Sequence, residues 1–228
     1  MKNNRWFLLI ITVCGLIIYG LSLSGCAPAK LYSVNMSYDA EQAAIPAYLK
    51  ADKASNAIIS IAEFTDTRRM NDRLVVGRVE EKDGMKILVV PKYTKATKAI
   101  SFGIKEYLKK AGYKVADKIE QWDLKEETMP REDGKVLIGG NIDEMEINCR
   151  RGYLTNAYTT NMKLTIIFAD MAKGHIIYAR KVEATLSQEH FLFSEERLGD
   201  YASDVLGEAI KNVFEDKAVA QKINPVRD

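Results

Sequence analysis

The chain has little of what specialised folds need. Its 228 residues hold three Cys, five Pro and two His. Three Cys exclude a disulfide-built scaffold. With two His, sites made of several imidazoles are excluded, because a zinc or iron centre needs three or four convergent ligands. Five Pro and 14 Gly exclude collagen-like and low-complexity chains. A surplus of one charge is also missing. The 33 Lys and Arg stand against 31 Asp and Glu, so nothing marks a nucleic-acid binder, which needs a positive excess or patch. Only one long apolar run is present, which excludes a multi-span membrane protein. What remains, at 47% hydrophobic and 28% charged residues, is an ordinary globular composition.

The one apolar run lies near the start. Lys2 and Arg5 precede Trp6 to Leu23, and Leu23-Ser24-Gly25-Cys26 follows before the sequence turns polar. A charged segment, an apolar segment and small residues at a cleavage point form a secretory leader. An uncleaved anchor would instead need about 20 apolar residues with anchoring flanks.

Leu23-Ser24-Gly25-Cys26 resembles the lipobox of bacterial lipoproteins. That resemblance implies a diacylglyceryl group on the Cys26 thiol, cleavage of residues 1–25, and an acyl chain such as palmitate on the new amine. Ala27 stands where an Asp would imply retention at the inner membrane, so the resemblance leans towards the outer membrane. Cleavage would take Lys2 and Arg5 and no acid, leaving 31 basic against 31 acidic residues. Cys14 would leave with the leader and Cys26 would be consumed by lipid. Cys149 would then be the single free thiol, with a small buried strand residue as its ordinary role.

Residues 26–54 are rich in Ala, Ser, Asn and Lys and read as a tether, with a helical turn near 40–49. Residues 55–228 read as one domain. Ile58, Ile59, Ile61 and Phe64 form a strand covered on both faces. Leu74–Val79 and Met85–Val90 form a hairpin around Asp83-Gly84. Ala96, Ile100, Ile104, Leu108 and Ala111 share a helical face that ends at Gly112. Strands over 135–148, 158–170 and 175–188 form a meander. Met162, Leu164, Ile166 and Phe168 alternate cleanly along its middle strand. Ser194 begins a last helix with the apolar stripe Leu198, Tyr201, Val205, Ala209 and Val213. The predicted class is α+β: a mostly antiparallel sheet with two amphipathic helices on one face.

Phe64-Thr65-Asp66-Thr67-Arg68, then Val76-Gly77, then Leu108-Lys109-Lys110-Ala111-Gly112-Tyr113-Lys114-Val115 mark the order of these elements. This order resembles the YajG-like periplasmic lipoproteins and, more loosely, the amino-terminal-type domain of TolB. The similarity covers about residues 55–216. It implies a lipoprotein domain and no reaction.

Arg68 and Arg69 leave the first strand in a charged loop, where an arginine fork could take a carboxylate or phosphate. Tyr153 and Tyr158 flank the meander tip, where tyrosines bury much area at little entropic cost. These four are the candidate partner-binding residues. Asp143, Glu144 and Glu146 form an acidic patch, with Glu144 and Glu146 on one face. Gly139-Gly140 signals a bulge or a close backbone approach. His175 and His190 are 15 residues apart without a companion ligand. No catalytic residue, metal site or cofactor is therefore expected. The expected function is that of a membrane-anchored periplasmic lipoprotein: a non-catalytic binding or accessory factor that meets an envelope protein. The alternative is an auxiliary of a transport or envelope-assembly system handling lipid or glycan.

Overall fold

The computed structural model describes residues 30–51, 58–70, 72–132 and 135–223. The described chain from Leu31 onward is one compact unit. Its organising element is a long meander of β7 (Lys135–Arg151), β8 (Asn156–Asp170) and β9 (His175–His190), antiparallel along almost their full lengths. The free edge of β7 is shared. Its first four residues pair in parallel with β2 (Ile58–Ala62), its middle with β3 (Thr65–Asp66), and its last part with β4 (Gly77–Glu80). Outside β2 lies β6 (Lys114–Glu120), while β5 (Lys86–Pro91) and β1 (Leu31–Val34) lie outside β4. The sheet therefore forks along one edge of β7. The α+β architecture agrees with the sequence pattern, and its longest pairings are antiparallel.

The helices α1 (Ala96–Lys110) and α2 (Glu195–Phe214) cover one face. Ser194 Oγ accepts from the Arg197 amide at 3.1 Å, which starts α2, and Glu195 and Glu196 suit its positive end. Gly112, at φ 95°, ends α1 because only a residue without Cβ adopts that left-handed conformation cheaply. Tyr113 N–H then donates to the Leu108 carbonyl at 3.0 Å, closing the cap. The predicted stripes of both helices are buried, and β8 sends Met162, Leu164, Ile166 and Phe168 against them. A short helix, α3 (Lys217–Ile223), adds Val219, Ala220 and Ile223 to this core.

On the opposite face, Trp122 and Met129 fold over Ala62, Leu137, Ala169 and Met171. Residues 121–132, rich in charge in the sequence, thus supply a small apolar lid, with the Trp122 indole donating to the Lys125 carbonyl at 2.8 Å. Gly139 and Gly140 lie under crowded neighbours on both faces. A Cβ on Gly140 would lie 2.3 Å from the Thr165 carbonyl oxygen, and one on Gly139 2.9 Å from the Trp122 ring. The pair marks close approach. The bulge falls instead at Asp143, where the β7–β8 register slips. That extra residue switches the inward parity from Val136, Ile138 and Ile142 to Met145, Ile147 and Cys149.

Residues 31–51 do not form a tether. β1 is hydrogen-bonded beside β5, and Tyr32, Val34, Met36 and Leu49 belong to the core. The expected turn near 40–49 is present as two short 3-10 turns, Ala40–Gln42 and Ala47–Leu49.

Tyr107 is poorly matched to its buried site. Tyr107 stacks on Phe214 at 4.9 Å, yet its buried hydroxyl has no hydrogen-bond partner, and burial pushes its pKa up to about 12. An unmet buried polar group costs roughly 1–3 kcal/mol, whereas an apolar replacement of the same shape keeps the packing. Tyr107→Phe is expected to stabilise the domain by about 1 kcal/mol. Thermal unfolding checks this, with Tm rising by roughly 2–4 °C; an unchanged or lower Tm contradicts it.

Candidate functional site

Two places gather the residues that could serve function: the fork of the sheet and the far end of the meander. At the fork, β2 stops at Ala62, and the chain crosses over the start of α1 before β3. A cleft of about 350 Å³ opens there, lined by Glu63, Asp66, Arg73, Lys95, Thr97 and Trp122 among others. It sits beyond the carboxyl ends of the parallel strands β2 and β6, where open sheets commonly hold ligands. Its acids are already engaged. Glu63 accepts from Thr97 Oγ1 at 3.1 Å and from Gln121 Nε2 at 3.2 Å, and Asp66 faces Arg68. The interior between helices and sheet is filled by such side chains as Ile100, Ile104, Leu164 and Ile210.

Arg68 is buried beside this cleft and uses all five of its side-chain N–H groups. Nε and Nη2 donate to the two Asp66 oxygens at 2.9 and 2.7 Å. Nη1 donates to the carbonyls of Val75 at 2.9 Å and Met145 at 3.3 Å, and Nη2 to that of Arg73 at 2.8 Å. A guanidinium offers five donors and no more. Arg68 therefore has nothing left for a carboxylate or phosphate, and the partner-binding expectation for it is corrected to a structural one. Arg69 is exposed next to it and lines a separate depression with Asp143, Glu144 and Glu146. Asp66 does not share that depression, and Lys163 pairs with Glu144 at 2.7 Å. The three carboxylates and Asp66 are not brought together as an acid–base pair.

At the far end, Tyr153 and Tyr158 separate. Tyr153 is exposed, with the Lys82 ammonium 5.4 Å from its ring centre. Tyr158 is buried, packed at 5.0 Å from the Tyr201 ring and parallel to Phe193 at 6.4 Å. Strand parity explains this: Tyr158 points inward with Met162 and Leu164, while Tyr153 belongs to the turn. Tyr158 supports the tip from beneath and is not itself a contact surface. Below it, Arg151 donates to Glu81 at 2.7 Å, and its guanidinium lies 4.9 Å from the Phe193 ring centre.

Cys149 is buried at the same end, and burial pushes its thiol up to about 11, so at neutral pH it is protonated. The two histidines occupy opposite ends of β9. Among the described residues, no group of three His, Cys, Asp or Glu could hold a metal ion. Nor does any described helix have the length and apolar character to cross a membrane. Cys26 lies outside the described residues.

Sequence reasoning missed Leu154, Phe191 and Leu192, which stand exposed beside Tyr153. The available signal was two pairs of adjacent large apolar residues, each placed at the end of a strand rather than within it.

Neither a protein-family model nor a curated protein matches this chain. Solved structures do show similarity. Protein XCC0632 from Xanthomonas campestris aligns at 11% identity and a TM-score of 0.48, over 85% of this chain and 95% of that one. A neuraminyllactose-binding hemagglutinin homolog from Helicobacter pylori aligns at 8% identity and 0.41, over 76% and 90%. Lipoprotein GNA1162 from Neisseria meningitidis aligns at 12% identity and 0.30, over 67% and 96%.

Proposed function

We propose that this protein is a lipid-anchored accessory factor of the bacterial cell envelope, held at the periplasmic side of the outer membrane through Cys26 and acting by binding rather than catalysis. The observation that carries the reading is the shortness of the link. Leu31 is already fixed in β1, so only five residue steps separate it from Cys26. Five residues span at most about 18 Å. A domain so tied works against the membrane surface, and its effect on an envelope partner comes from raised local concentration. The stably held form needs more than one acyl chain, since each buried methylene contributes about 0.8 kcal/mol and a single chain binds reversibly.

The exposed Arg69 and the fork cleft are the places such a partner would meet. Under the second reading, lipid or glycan handling, the partly polar lining of the fork cleft suits a sugar better than an acyl chain.

Cys26→Ala tests the anchor. The expected result is transfer of the protein from the membrane to the soluble fraction, while intact mass of the native form shows a chain starting at Cys26 and carrying acyl groups. A Cys26→Ala protein that still pellets with membranes overturns the reading. Crosslinking from Arg69→Cys in intact cells then identifies the partner.

A further inference from the structure

The meander ends in two turns that each expose a pair of large apolar side chains. Tyr153 and Leu154 in the β7–β8 turn are 87% and 83% exposed, and Phe191 and Leu192 after β9 are 77% and 73% exposed. The register sets these turns side by side, because Asn156 pairs with His190. The connection is locked. The buried Asn156 amide donates to the carbonyls of His190 and Phe191, both at 3.0 Å, and Arg197 donates to that of Leu192 at 2.7 Å. Beneath them sit the rings of Tyr158 and Phe193. A grouped set of exposed apolar side chains marks a surface that something covers.

Strand direction says what covers it. β7 and β4 run towards this end, and β5, antiparallel to β4, starts there. β1 is parallel to β5, with Leu31 opposite Leu88, so the chain enters the domain at the same end. The three strand spacings from β1 to β7 amount to about 14 Å. That distance is within the reach of the link from Cys26. Met85 and Leu31, both exposed, add apolar surface on the same side. The charges are balanced: Arg150 faces Glu80 at 3.8 Å and Arg151 faces Glu81 at 2.7 Å. A surface that is apolar at its centre, holds a tyrosine beside a lysine and carries paired charges around them suits a bilayer interface.

We infer that Tyr153, Leu154, Phe191 and Leu192 insert into the membrane leaflet that holds the Cys26 lipid, so that the domain stands on its meander tip. The inference rests on the anchoring read at Cys26 and adds an orientation to it. It also gives a role to the bonds that hold the backbone carbonyls of His190, Phe191 and Leu192, since a preformed backbone loses less freedom on insertion.

The test uses the full mature protein, purified from membranes and reconstituted in phosphatidylcholine vesicles with or without bromine on the acyl chains. Tryptophan reporters are placed by Leu154→Trp, Leu192→Trp and, at the fork, Leu74→Trp. The Trp122 background is read from the unsubstituted protein in the same vesicles. Brominated lipid is expected to lower the added emission at positions 154 and 192 about twofold or more, as an insertion of roughly 5–10 Å requires, and to leave position 74 unchanged. Intact mass of the same sample reads acylation separately. Acylated protein without quenching at 154 and 192 overturns the orientation and leaves the anchor standing. Equal quenching at all three positions overturns it too. A blue shift at 154 without vesicles, concentration-dependent, shows a second copy on the surface and likewise overturns it. If the mass shows no acyl group, the anchor reading falls. The tip is then read with vesicles added at saturation, where quenching confined to 154 and 192 supports insertion and its absence refutes it.

Discussion

Arg68→Ala is expected to destabilise the domain by about 3–5 kcal/mol, the usual cost of removing one partner from a buried ion pair. The guanidinium is the only described group that ties Asp66 to the carbonyls of Arg73, Val75 and Met145. Removing it leaves a carboxylate with little solvent and three carbonyls short of donors, and each such group costs free energy comparable to a hydrogen bond. The loss is local to the fork, because β3, the crossing loop and the middle of β7 meet only there. Arg68→Lys is expected to recover a minor part, since an ammonium brings three donors and no planar fork to a site that uses five. Asp66→Ala with Arg68→Ala is expected to cost less than the sum of the two single changes, with a coupling of roughly 0.5–3 kcal/mol. Urea unfolding monitored by far-UV circular dichroism reads all four proteins, and for the single change Tm falls by on the order of 10 °C. A loss below about 1 kcal/mol contradicts the structural role, because that is the range of an exposed pair.

Arg68 also shows where sequence reading stops. In the sequence it stands among Thr67, Arg69, Asn71 and Asp72, which is the composition of a solvated loop. Its burial depends on Val75 and on Met145, 77 residues away, and no local pattern contains that contact. The elements set by local periodicity were legible: both amphipathic helices, the Gly112 cap, the Asp83-Gly84 hairpin and the three meander strands. β1 was not, because Leu31–Val34 is a four-residue strand whose apolar face is defined only by its pairing with β5. The bulge at Asp143 was hidden for a similar reason. Acidic residues at 143, 144 and 146 conceal a change of parity that is visible only against the β8 register. At the tip, Tyr153 and Tyr158 looked alike as a pair flanking a turn. Five residues of offset send one to solvent and the other inward.

Gly77→Ala is the second large expected effect. Gly77 begins β4 and pairs with Ile147 of β7 and Val89 of β5. A Cβ there would lie 1.8 Å from the Ile147 carbonyl oxygen and 2.5 Å from its carbon. These are backbone atoms held in a strand whose other edge is paired with β8, so they cannot yield as a side chain could. Relief requires β4 to move off β7, at about 3 kcal/mol or more. The β4–β7 pairing is short, from Gly77–Ile147 to Glu80–Arg150, and β5 and β1 reach the rest of the sheet through it. The methyl group is therefore expected to loosen the arm β4–β5–β1 as a unit while the meander persists, a local opening of the kind hydrogen exchange resolves. The amides of Val79 and Val89 should lose protection, and those of Leu164 and Ile166 should keep it. Gly84→Ala separates space from conformation: nothing lies within 4 Å of its Cβ position, but φ is +84°, so about 1 kcal/mol is expected and no loss of the arm. Uniform loss of protection across both regions in Gly77→Ala would show that the arm is not a separate unit. Under the anchoring proposed at Cys26, the link enters through β1, so an opened arm would leave the domain on a longer and looser lead, and the proposed orientation of the tip at the bilayer should be lost together with the protection of Val89.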